Sequence, residues 1–382
     1  MTQHGRKWDI FCAVVDNFGD IGVCWRLARQ LAAEYDIEVR LWVDDLASLQ
    51  TICPEINPDL TVQTMRRVDV RRWDASFPVV APAEVVIEAF GCELPAGYVA
   101  AMAALARKPV WINLEYLSAE NWVEGCHGLP SPHPRLPLTK YFFFPGFSSA
   151  TGGLLAENGL LQRRQAFQSD SEQLAQFWQS IGLPQPEAEE CRVSLFGYEN
   201  SALPGLLEAW ASGAFPVTCM VPEGRMVTGV AAYFGRSDLA RGESLQRGRL
   251  SVHVLPFLEQ ERYDYLLWAC DCNFVRGEDS FVRGQWAARP FIWHIYPQDE
   301  GAHWVKLHAF LDRYCDALPV DAAAAVRGVW EAWNRGEGAG EAWPAFWQWR
   351  EALERHAQRW ADARMIHGDL AANLVQFCWK KI

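Results

Sequence analysis

An apolar, β-prone run from Trp8 to Val15 stops at Asp16-Asn17-Phe18-Gly19-Asp20-Ile21-Gly22 and gives way to a helical pattern through about Tyr35. That order predicts a strand, a glycine-containing loop and a helix, the start of a parallel sheet, because parallel strands need such a crossover between them. Further strands are expected at Ile37 to Val43, Val85 to Ala89 and Pro109 to Leu114, with an alanine-rich helix at Tyr98 to Arg107. From about Gln162 to Glu190 the chain is rich in Gln, Ser, Glu and Pro around one helical stretch, Ser171 to Ile181, and reads as a crossing between domains.

The pattern then restarts. Strands are expected at Cys191 to Phe196, Phe215 to Val221, Leu250 to Val254 and Cys272 to Val275, with helices at Leu203 to Ser212, Tyr263 to Ala269 and Phe281 to Ala288. The fold class is therefore α/β, with a first domain over 1–160, a linker over 161–190 and a second domain over 191–364. Amphipathic segments at Trp343 to Arg364 and Asp369 to Trp379 follow, and the last stretch, about 365–382, is expected to return to the first domain.

Composition narrows the partners. A formal charge of -12 argues against nucleic acid, whose binders need clustered Lys and Arg to displace counterions. Apolar runs of about 18 residues are absent, and the first residues lack a secretory pattern, so no membrane partner and a cytoplasmic location are expected. Eleven cysteines, scattered and without a CxxC array, read as reduced core thiols, and no metal site is expected.

In an open α/β sheet, ligands bind beyond the carboxyl ends of the strands, which directs attention to two loops. In the first, Gly19 and Gly22 allow tight turns, and Asp16 and Asp20 stand four residues apart. Two uses fit. Asp16 can close an Asx-turn while Asp20 caps the helix, or Asp20 can serve as a general base with Asp16 orienting the loop. The segment has neither the Gly-x-Gly-x-x-Gly fingerprint nor a phosphate-loop pattern, which disfavours a dehydrogenase or an NTPase.

The second loop, Arg276-Gly277-Glu278-Asp279-Ser280-Phe281-Val282-Arg283, opens a helix directly after a strand. A helix N-terminus is an anion site, so a diphosphate can lie there with Ser280 donating its hydroxyl and Arg276 adding charge. Glu278 and Asp279 would then turn toward sugar hydroxyls. The plainer alternative is a capped helix with Arg276 and Glu278 as a surface ion pair. Phe196 and Tyr198 after one strand, and Phe257 and Gln260 after another, can enclose a base, and Tyr296 can reach the diphosphate. His294, His303 and His308 lack metal-triad spacing.

Asp-Asn-Phe-Gly-Asp-Ile-Gly at 16–22, Gly-Glu-Asp-Ser-Phe-Val-Arg at 277–283 and Pro-Phe-Ile-Trp-His-Ile-Tyr-Pro-Gln at 290–298, found in this order, resemble the bacterial protein-arginine rhamnosyltransferases of elongation factor P, the EarP family. The resemblance spans the whole chain. It implies a GT-B fold of two facing Rossmann-like domains, dTDP-β-L-rhamnose as donor and an arginine of elongation factor P as acceptor, with no cofactor or metal. It assigns the general base to Asp20, with Asp16 also needed and Glu278 counted with the catalytic groups. Asn17, Phe18 and Gly19 would contact substrate from the first motif. Arg276, Asp279 and Ser280 would hold the donor, and Phe196, Tyr198, Phe257, Gln260 and Tyr296 would line the nucleotide pocket. The competing expectations are a GT-B transferase or epimerase for a small or lipid-linked sugar, and a non-catalytic nucleotide-binding module.

Overall fold

A computed structural model describes residues 7–16, 18–187 and 189–382. The chain divides into two compact units. The first contains the described residues up to Asn158 together with Arg364–Ile382, and the second contains Gly159–Ala363.

In chain order the first unit runs β1 Lys7–Cys12, α1 Gly19–Glu34, β2 Glu38–Val43, α2 Leu46–Ile52, β3 Val62–Met65, β4 Val68–Arg72, β5 Val85–Ala89, α3 Ala96–Ala104, β6 Val110–Leu114, α4 Trp122–Cys126, β7 Pro130–Pro132 and β8 Thr139–Phe143. The strands order β3-β4-β2-β1-β5-β6-β8-β7. All neighbours are parallel except the edge pairs β3/β4 and β7/β8. Because β5 and β6 are buried along their whole length, they read as mostly apolar runs and not as alternating ones, each with one buried polar residue, Glu88 and Asn113. Phe11, Trp42, Val86, Tyr98, Met102, Trp111 and Leu138 pack one face of this sheet.

The second unit continues with α5 Leu160–Ser169, α6 Ser171–Ser180, β9 Cys191–Leu195, α7 Leu203–Ala211, β10 Val217–Pro222, α8 Arg225–Tyr233, β11 Ser244–Arg247, β12 Leu250–Leu255, α9 Gln260–Ala269, β13 Cys272–Arg276, α10 Asp279–Trp286, β14 Phe291–His294, α11 Ala302–Cys315, α12 Val320–Arg335, α13 Ala339–Trp347 and α14 Arg350–Met365. Its sheet orders β11-β12-β10-β9-β13-β14, parallel except for β11/β12. The stretch 161–190 is not bare linker: it carries α5 and α6, which belong to this unit. Phe167 meets Tyr265 at 4.9 Å, and Gln168 donates to the carbonyls of Trp268 and Ala287.

Helix α15, Leu370–Trp379, closes the first unit. Asp369 caps it by accepting from the amides of Ala371 and Ala372, and the amide of Gln30 on α1 donates to the same carboxylate at 3.1 Å. The C-terminal helix thus returns to the N-terminal unit, as the sequence predicts.

Strand order fixes where a ligand can sit. In the first sheet β1 has β2 on one side and β5 on the other, and in the second β9 lies between β10 and β13. Each sheet therefore reverses its winding there, and the crevice beyond those carboxyl ends is the binding position of the fold.

Candidate active site

At the first switch point the chain leaves β1 and enters α1 through residues 13–18. Phe18 is the N-cap and has no side-chain capping bond. Asp20, the second residue of the helix, turns its carboxylate back onto the loop. Its Oδ2 accepts from the amides of Val15 and Asp16, both at 2.9 Å. Asp20 therefore gathers the loop instead of capping the helix. The Asp16 carbonyl accepts from the Gly19 amide at 2.7 Å, and a Cβ at position 19 would stand 3.0 Å from Asp16 Oδ2, so glycine is what lets the carboxylate approach.

Asp20 is 2% exposed. Burial raises its carboxyl above the ordinary aspartate range, the two loop amides and a hydrogen bond from Tyr116 pull it back, and the charge of Asp16 raises it. Asp16 and Phe18 are half-buried beside it. Asn17 lies outside the described residues.

Tyr116 carries no motif and is absent from the sequence-based candidates. It follows β6 by two residues, and its ring stacks on Phe90 at 4.4 Å and 17°. Phe90 follows β5 with φ at 56°, a left-handed conformation that a bulky residue adopts at a cost.

The second switch point brings several predicted residues into one cluster. Arg276, at the end of β13, is buried, and its guanidinium lies 4.6 Å from the ring centroid of Phe196 and 4.8 Å from that of Tyr198. Its Nη1 donates to the Gly197 carbonyl at 3.3 Å. The guanidinium therefore lies inside the unit against these rings and not on its surface. Tyr198 meets Tyr296 edge-on at 5.6 Å, and Tyr296 is 44% exposed. His294 accepts from the Tyr198 amide through Nδ1. Burial, then the charge of Arg276, push its pKa down to about 3, so it stays neutral.

The turn into α10 uses Gly277 at φ 58°. Glu278 is the N-cap but makes no side-chain capping bond. Ser280 differs from the expected diphosphate contact. Its hydroxyl donates to the Arg276 carbonyl at 2.5 Å and accepts from the Arg276 amide at 2.9 Å, so its one proton closes the strand-to-helix turn instead of pointing at a diphosphate. Asp279 accepts from Gln260 Nε2 at 3.2 Å, and one turn further along both helices Asp264 of α9 pairs with Arg283 of α10 at 2.6 Å, nearly enclosed. These two rungs tie α9 to α10. Phe257 is half-buried two residues beyond β12, at the carboxyl end of the same sheet. Among the described residues no group of three or more His, Cys, Asp or Glu is placed to hold a metal ion, and no helix is long and apolar enough to cross a membrane.

The EarP family, described as elongation factor P (EF-P) rhamnosyltransferases, matches this chain over residues 8–379. The chain belongs to the EarP family. It is similar to the protein-arginine rhamnosyltransferase of Pseudomonas putida, 52% identical over 370 residues that cover 97% of this chain and 98% of that one. It is also similar to the enzyme of the same name from Neisseria meningitidis, 37% identical over 374 residues covering 95% and 94%. Among solved structures, one of EarP-mediated arginine glycosylation of translation elongation factor EF-P matches with a TM-score of 0.71 at 37% identity, covering 98% of this chain and 99% of that one. Acinetobacter baumannii MurG shares the fold at a TM-score of 0.51 and 12% identity, covering 98% and 99%. This member of the EarP family is thus a protein-arginine rhamnosyltransferase with the GT-B fold.

Proposed function

We propose that the chain works in the cytoplasm and transfers rhamnose from dTDP-β-L-rhamnose to one arginine of translation elongation factor P, with Asp20 as general base. The observation that carries the role of Asp20 is its burial on two loop amides at the switch point of the first sheet. A guanidinium titrates above about 12 and is a poor nucleophile while protonated. A carboxyl raised by burial is a better match for its proton than an ordinary one.

One displacement completes the reaction. A guanidinium nitrogen bonds to the anomeric carbon as the bond from that carbon to the diphosphate oxygen breaks, and the bonding pair leaves with dTDP. The nitrogen proton becomes far more acidic as the new bond forms and passes to Asp20, and the anomeric centre inverts. Asp16 and Glu278 supply further negative charge for the cationic acceptor. On the donor, Arg276 and the N-terminal amides of α10 meet the diphosphate, Phe196, Tyr198, Phe257 and Gln260 meet the base, Tyr296 reaches the phosphates, and Asp279 accepts from sugar hydroxyls. Ser280 serves that arrangement through the main chain of Arg276. These groups neutralise the leaving charge without a metal or cofactor.

Intact-mass measurement of elongation factor P incubated with the protein and dTDP-β-L-rhamnose tests the proposal. One deoxyhexose increment, mapped to a single arginine and unaffected by EDTA, is expected. An unmodified acceptor, with rhamnose appearing on a lipid or free sugar instead, would overturn it.

A further inference from the structure

We infer that Tyr116 is a positioning residue for the base: its phenolic O–H, held in place by the stack on Phe90, joins the Val15 and Asp16 amides in orienting the Asp20 carboxylate. The inference rests on the reading of Asp20 as the base.

Three neighbouring strands build the arrangement. β1, β5 and β6 lie side by side, and each ends beside this site: β1 leads into the Asp20 loop, β5 into Phe90 and β6 into Tyr116. Tyr116 is separated from β1 by β5, and Phe90 provides the surface on which its ring lies at 4.4 Å. Phe90 is held in its left-handed conformation by the sheet itself. Its amide donates to the Leu114 carbonyl at 2.7 Å, and the next amide, of Gly91, donates to Asn113 Oδ1 at 3.2 Å. A strained backbone persists where its surroundings over-determine it, and here it places a ring under a hydroxyl that bonds the buried carboxylate.

The loop amides and the tyrosine contribute differently. Main-chain donors are fixed by the fold and hold one oxygen, Oδ2. A phenol is a neutral donor on a ring, and it stabilises the ionised carboxylate without adding charge beside a cationic acceptor. The other ionisable neighbours act differently: Asp16 of the loop disfavours ionisation of Asp20, and Cys12 of β1, hydrogen-bonded to the free thiol of Cys24 on α1, is a buried thiol whose own pKa is raised, in part by the charge of Asp20. Tyr116 thus acts with the two loop amides to offset burial and favour the ionised carboxylate.

The test is Tyr116→Phe, which keeps the ring and its stack and deletes the donor. Two readouts are taken on the full chain: titration of the Asp20 carboxyl by carbon-13 NMR, assigned by its loss in Asp20→Asn, and the acid limb of kcat/KM for transfer to elongation factor P. Both are expected to move upward by about one pH unit, the size of one lost hydrogen bond to a charged group. Affinity for dTDP should stay at the wild-type value and the melting temperature should fall modestly, as linkage to a raised carboxyl requires, whereas a merely structural tyrosine would lower the melting temperature without moving either pH readout. Phe90→Leu, which keeps the hydroxyl and loosens its support, should shift both in the same direction by less. An unmoved carboxyl titration in Tyr116→Phe overturns the inference whatever Asp20 does. A carboxyl that moves while the acid limb stays put overturns instead the assignment of Asp20 as base.

Discussion

After β1 the chain turns into α1 and sets a carboxylate, Asp20, against two of its own loop amides, whereas after β13 it turns into α10 and sets a hydroxyl, Ser280, against the amide and carbonyl of one residue. Both turns lie at the switch point of a parallel sheet. In the first, the donors of the turn are occupied by an anion the chain carries itself, and the product is a buried acid with raised affinity for a proton. In the second, a neutral group closes the turn, and the charge nearby is a guanidinium laid on two aromatic rings. The same supersecondary plan therefore yields a buried carboxylate or a guanidinium seated on aromatic rings, according to which side chain satisfies the strand end.

The contrast is most exposed at Asp20. Asp20→Asn keeps the size of the side chain and loses the basic oxygen, so transfer should fall by about 10²- to 10⁴-fold while calorimetry gives an unchanged affinity for the donor. In the wild type, the base must be ionised, and because its pKa is raised, transfer should decline with falling pH at a point above the usual aspartate range. Comparable turnover in the mutant, or a decline only near pH 4, about the ordinary aspartate value, would make the two turns alike.

The second turn is anchored by charge, so its support can be cut alone. Asp264→Asn leaves Arg283 enclosed without its counter-ion and should cost about 3–5 kcal/mol in unfolding free energy. Hydrogen exchange should quicken over 279–286 and remain as in the wild type over 19–34; equal quickening in both would show that α10 is not held separately.

Arg276→Ala should weaken binding of dTDP-β-L-rhamnose by roughly tenfold or more, read by calorimetry, because a charge-assisted contact is lost. Unchanged affinity would remove the guanidinium from the donor seat. Ser280→Ala has the smallest expected effect, a loss of about 1 kcal/mol in stability with donor affinity moved less than in Arg276→Ala. A larger affinity loss would mean that the hydroxyl leaves the main chain when the donor binds.

Much of this was legible in the residues. Val85–Ala89 is a buried five-residue run and matches its predicted limits, and the helix after the first loop ends within one residue of Tyr35. The strand at Phe291–His294 has no clear mark in the sequence, since four buried residues carry too little periodicity to show their state. Helices α11 and α12 went unseen beside the stronger tryptophan pattern that follows them. At the sites, glycine and acid spacing pointed to Asp16 and Asp20, and the positions after strands pointed to Arg276, Phe196 and Tyr198. Tyr116 had no such signal, because its value comes from β6 being two strands from β1, and strand order is not written in local sequence. The main-chain partner of the Ser280 hydroxyl is unreadable for a similar reason: it is a carbonyl four residues back, within reach only once the turn is made.

The return of α15 has a consequence for synthesis on the ribosome. Gln30 and the Leu154 carbonyl both bond to Asp369 and its neighbour, so the half that carries Asp20 cannot finish assembling while residues near 370 are still in the exit tunnel. The middle of the polypeptide, Gly159–Ala363, can mature first, while the first unit waits for α15.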